Sequence, residues 1–259
     1  MRARALVLAV AVSSVGCTGC GSKTESVHVE VLAGVRHVAP GDAWDLEVRA
    51  YRATYGELLR RDGYRVVIAP ISDRSLSEAP VFDATAAAES FFGMNQDDAE
   101  HARTQTAKRA EIALATLGSR RNGLARTEII NAVVAAHDRF DVDPGSKRHV
   151  LVILSTGFEQ SSIANMADYG LRLNAPSIRR RFVEHLRATG QVVELRGVDV
   201  CMLAVTTGQG HWSDYNRSRG VRLFWRDYFA AAGARLAGYG NSVESCPPIS
   251  AAQIASEGR

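Results

Sequence analysis

The residues with the clearest chemical potential lie in Ser72-Asp73-Arg74-Ser75-Leu76-Ser77, a carboxylate followed by two hydroxyls at alternate positions. The string follows the apolar, β-branched run YRVVIAPI and so stands at the carboxyl end of an expected strand. Two other stretches reach the same rim. Thr156-Gly157-Phe158-Glu159 follows HVLVILS, and Arg126-Thr127-Glu128 opens a helical stretch. A small hard dication such as Mg²⁺ takes octahedral oxygen ligands and keeps several waters, so Asp73 with the hydroxyls of Ser75, Ser77 and Thr127 makes a reasonable partial cage. The same residue types also hydrogen-bond a turn and cap a helix without any metal.

Other chemistries find less support. The chain contains no GxSxG elbow, HExxH or phosphate-binding loop. Gly208-Gln209-Gly210-His211-Trp212 lacks the third glycine and following helix of a dinucleotide site, and reads as a rim loop. His101 and His211 each lack a partner at ligand spacing. A catalytic base or nucleophile needs a positioned partner. An exported metal-assisted hydrolase using Asp73 and Glu159 is therefore the weaker alternative to a binding protein.

Positioning these residues requires a sheet. YRVVIAPI, HVLVILS, GVDVCMLAV and the weaker ARLAGYG are near-continuous apolar runs separated by helical stretches. That pattern belongs to a parallel sheet covered on both faces, so the expected fold class is α/β, doubly wound. Helices are expected over 97–117, 127–140, within 164–188, and over 218–232. Trp225, Tyr228 and Phe229 fall at core spacing on the last. Before Tyr64, the alternating VHVEVLAGV and the helical DAWDLEVRAYRATYGELLRR, with Trp44, Val48, Tyr51, Tyr55 and Leu58 on one side, are expected to pack on the main domain.

With these elements in order, the chain resembles the von Willebrand factor A family. The resemblance runs from Tyr64 to Gly240 and rests on DxSxS at a strand end, a helix-leading Thr127, and LSTG after a later strand. It implies a metal-ion-dependent adhesion site of Asp73, Ser75, Ser77, Thr127 and Thr156. Thr156 stands where the family usually has aspartate, which lowers the expected metal affinity. The resemblance also implies a mechanism in which the ion takes an acidic side chain of a protein partner as its missing ligand.

The amino terminus reads MRARALVLAVAVSSVGCTGCGSK: two arginines, a short apolar run, then small residues before cysteine. This is the form of a secretory leader, and the run is far short of the roughly 20 residues that span a bilayer. Cys20, or alternatively Cys17, resembles the acylated cysteine of a bacterial lipoprotein. The expected organisation is a leader with lipobox over 1–20, a tether with short strand and helix over 21–62, the A-like domain over 63–241, and a tail over 242–259. In an exported chain Cys201 and Cys246 are free to form a disulfide, though sequence alone does not place them within reach.

Composition agrees with a soluble domain: 46% hydrophobic, 23% charged and net charge +3. The cluster Arg179, Arg180, Arg181 has no interleaved aromatics, so it reads as the solvated side of a helix, with no nucleic-acid partner. The expected function is an envelope-tethered module, lipid-anchored and exported, that binds a protein partner with or without Mg²⁺ or another divalent cation. A metal-free structural component of an envelope assembly is the second expectation.

Overall fold

Val27–Gly34 (β1) alternates valine with histidine and glutamate, and it forms the centre of the molecule. In the computed structural model, which describes residues 27–34, 64–85, 96–119, 127–143, 146, 148–166, 172–203, 212–240 and 246, β1 pairs in parallel with Tyr64–Ile71 (β2) on one side and Arg148–Leu154 (β4) on the other. Val198–Leu203 (β5) and Arg235–Tyr239 (β6) extend the sheet in parallel beyond β4. Phe82–Thr85 (β3) closes the other edge antiparallel to β2. The order is β3-β2-β1-β4-β5-β6.

Helices cover both faces. Gln96–Ser119 (α1) lays Ala107, Ala110, Leu114 and Leu117 on the face carrying Val29, Val31, Val66, Ile68 and Val152. The opposite face, with Leu32, Ile71, Leu151, Ile153 and Met202, is covered by three helices: Ile129–Asp141 (α2), Pro176–Ala188 (α3) and Trp212–Ala231 (α4). The fold is thus α/β and doubly wound, as the apolar runs indicate. Trp225, Tyr228 and Phe229 are fully buried against this face. Among the described residues, no helix is long and apolar enough to cross a membrane.

Three expectations change. The strand expected within 21–62 is present, but it is hydrogen-bonded inside the sheet rather than packed upon it, so the sheet begins at Val27 and not at Tyr64. The DxSxS string accordingly follows the second strand of the sheet. Arg179 is not solvated: its Nε donates to Asp227 Oδ2 at 2.7 Å and its Nη1 donates to the Leu173 carbonyl at 2.7 Å, tying α3 to α4. Arg180 and Arg181 are exposed as expected. The helix over 42–61, Cys17, Cys20 and the 208–211 loop lie outside the described residues.

Cys201 on β5 is bonded to Cys246, with Cα atoms 5.8 Å apart, inside the range that a disulfide spans. Cys246 is buried in the α1-side core. The link closes a separation of 45 residues, and so restricts the unfolded chain.

Beneath the carboxyl end of α2, the sheet buries charge. His28 and Glu30 project from β1 to the α2 side, both with no exposed surface. Arg139 Nε donates to Glu30 Oε1 at 2.6 Å. His28 lies 3.3 Å from Glu30 Oε2 and 3.1 Å from Asp143 Oδ2, and neither ring nitrogen is aligned for a hydrogen bond. Arg65 bridges outward to Asp83 on β3 and to Asp143. Its two-pronged donation to Asp83 holds that carboxyl below its ordinary range. Phe140 stacks on His149 and meets the His28 ring edge-on, closing the cluster from above.

Candidate functional site

In an open parallel sheet the ligand crevice lies beyond the carboxyl ends of the strands, at the point where strand order reverses. Here that point falls between β1 and β4. The two strand ends approach closely: a Cβ on Gly34 would stand 3.3 Å from the Leu154 carbonyl oxygen, so glycine suits the contact. Backbone hydrogen bonds then draw three predicted segments together. Glu128 N–H donates to the Ser72 carbonyl at 3.2 Å, and Thr127 and Gln160 exchange a reciprocal pair at 2.9 Å each. The end of β2, the start of α2 and the loop after β4 therefore form one rim, as the sequence pattern predicts.

Within it, individual side chains differ in what they offer. Asp73 and Ser77 are exposed and Thr156 is half-buried, whereas Ser75 and Thr127 are buried. The Ser75 hydroxyl accepts from Ser72 N–H at 3.0 Å and donates to the Ser72 carbonyl at 2.9 Å. Ser77 Oγ donates to the Arg74 carbonyl at 3.3 Å. Ser72 Oγ donates to Glu78 and accepts from Arg74 N–H. These bonds brace the turn from both sides. Leu76, at its tip, is 56% exposed.

Glu159 points elsewhere. It has no exposed surface, and its Oε2 accepts from Ile130 N–H at 3.0 Å in the first turn of α2. A carboxylate at a helix amino terminus meets unsatisfied amides and the positive end of the dipole. Burial nevertheless dominates and pushes its carboxyl up to about 7, against the opposing pull of the Ser161 hydroxyl and the Ile130 and Ile129 amides. Oε1 makes no well-formed hydrogen bond. Asp73 thus stands at the surface, whereas Glu159 lies inside the α2 terminus with no exposed surface.

Toward an octahedral dication the five residues the resemblance singles out offer little negative charge. Asp73 is the only carboxylate among them, and Ser75, which donates one hydrogen bond to the turn and accepts one from it, keeps a single lone pair for a cation. Among the described residues, no three His, Cys, Asp or Glu side chains gather as a ligand set.

The loop after β4 is held from the α4 side. Trp225 Nε1 donates to the Gly157 carbonyl at 2.7 Å, and Gly157 takes φ +78°, a conformation that costs glycine little. Arg217 stacks over Phe158 at 4.8 Å. The sequence signals missed here are Glu159 as an internal cap and Leu76 as an exposed apolar tip.

No family model matches the chain, and no curated protein matches it. Among solved structures it is similar to the D319A mutant of the PilB minor pilin from Streptococcus sanguinis, at 10% identity and TM-score 0.49, covering 86% of this chain and 58% of that one. It is similar to a von Willebrand factor type A protein from Catenulispora acidiphila, at 10% identity and TM-score 0.38, over 81% of this chain and 42% of that one. Human COPII-coat protein Sec24c gives 12% identity and TM-score 0.38, over 85% and 29%. The chain thus spans less than two thirds of each of these structures.

Proposed function

We propose that this chain is an exported, envelope-tethered binding module that engages a protein partner through the rim turn Ser72–Ser77, without catalysis and without need of a cation. The leader with Cys20 or Cys17 supports export and tethering. One observation carries the partner-binding reading. The turn is locked by its own serines and by the start of α2, yet it presents Leu76 beside exposed Asp73, Arg74 and Ser77. A rigid apolar tip ringed by polar groups loses little entropy on docking and can fill a pocket as an anchor.

Independence from a cation is supported by Asp73 being the single carboxylate among the five residues and by a turn that its own hydrogen bonds already hold. A ligand that binds only the folded state must raise stability by mass action. The melting temperature after chelation is therefore expected to stay constant on titration with Mg²⁺ or Mn²⁺, equally in the wild type and in Asp73→Ala. A saturable rise lost in Asp73→Ala would restore the adhesion-type site, with an acidic partner side chain as its missing ligand, in place of this reading.

A further inference from the structure

β6 is an edge strand: among the described residues it pairs with β5 alone. An open edge leaves a row of backbone N–H and C=O groups able to accept another strand. Beside it runs α4, and between the two lies a groove of about 630 Å³ lined by Arg219, Arg222, Arg226, Leu236, Gly238 and Tyr239. The three arginines stand at i, i+3 and i+7, one face of the helix, and all three are exposed. Arg226 is paired with its neighbour Asp227. Arg222 lies over the Tyr239 ring at 5.7 Å, and neither it nor Arg219 has a carboxylate partner among the described residues. Among the described residues, no acidic side chain lines the groove.

These charges discriminate between occupants. A second copy of this chain pairing through the same edge would bring its own arginines against these, and like charges directly opposed are unfavourable. A strand with carboxylates at alternate positions would direct all of them to one face, where the guanidinium forks can pair with them. We infer that the β6 edge and the α4 arginines form a docking groove for an extended acidic peptide segment of a partner protein, which adds to the sheet as a strand. The groove lies four strands from β2, roughly 19 Å across the sheet at the usual strand spacing, so it is separate from the Ser72–Ser77 turn.

The test is fluorescence anisotropy of the full chain with a labelled eight-residue peptide alternating threonine and glutamate. Saturable binding is expected, weakened at least tenfold by Arg219→Glu with Arg222→Glu. Both positions are exposed, so the fold is retained, which circular dichroism checks. Replacing glutamate by lysine in the peptide, or methylating alternate amide nitrogens so that the ladder cannot form, should each cost at least tenfold as well. Unchanged affinity in the double variant, or for the methylated peptide, overturns the inference. So does tighter arginine-dependent binding of octathymidylate, which would make the groove a phosphate site. Peptide binding seen only after removal of residues 249–259 would overturn it too, by assigning the groove to the chain's own tail.

Discussion

Arg139→Met is expected to destabilise the fold by about 3–5 kcal/mol, because it strands the carboxylate of Glu30 in a site with no exposed surface. Arg139 covers Glu30 from the last turn of α2, and the remaining neighbour, His28, offers proximity at 3.3 Å without an aligned hydrogen bond. The cost arises from removing one partner and not from the net worth of the pair. Substituting both, as Glu30→Met with Arg139→Met, deletes the uncompensated charge and fills similar volume, so most of the loss is expected to return. Urea denaturation of the two single variants and the double variant closes the cycle. A single-variant cost under about 1 kcal/mol would mean that Glu30 finds another partner once Arg139 is gone.

Glu159→Gln is expected to remove a pH dependence from the stability of the domain. The carboxyl is held at about 7 in the folded chain against an ordinary value of 4.5. A raised acid binds its proton more tightly when folded, so its contribution is complete below 4.5 and is lost as pH rises to about 7. The wild type should lose on the order of 2–3 kcal/mol across that window from this group. Glutamine keeps an acceptor for the Ile130 amide and cannot ionise. The variant should therefore follow a flatter profile and be the more stable form at pH 8. Asp83, Asp143, Asp199 and Asp227 are all held below their ordinary 3.8, so their contribution disappears on the acid side. Burial lowers His149 below its ordinary 6.5, which adds stability as pH rises through the same window equally in both proteins, so the difference between the two profiles isolates Glu159. Denaturation curves at pH 5, 6, 7 and 8 decide it; parallel losses in both proteins would place the titrating group elsewhere.

The apolar strands and the helices around them were legible because burial on both faces leaves little room for polar residues. β1 was harder for the opposite reason. Its alternation of valine with His28 and Glu30 imitates a strand with one wet face, which α2 makes dry by bringing Arg139 to Glu30 across 109 residues and Phe140 over His28. β3 is four residues long with one buried side chain, too short to show a period. At the rim, strand ends and the helix start could be placed from the sequence, and backbone pairing joins them as expected. Side-chain direction could not. Ser75 turns inward to its own turn, Glu159 enters the α2 terminus, and Arg179 reaches Asp227 across 48 residues.

The central claim is that the Ser72–Ser77 turn meets a protein partner, and site-specific photo-crosslinking tests it directly. A photoreactive amino acid at position 77, in cells whose envelope is intact, is expected to yield one discrete protein adduct. The adduct should vanish with Leu76→Asp, which leaves the buried frame of the turn untouched, and should be absent when the probe stands at exposed Glu184 on α3. No adduct from position 77, or the same adduct from 184 and with Leu76→Asp, would contradict the account.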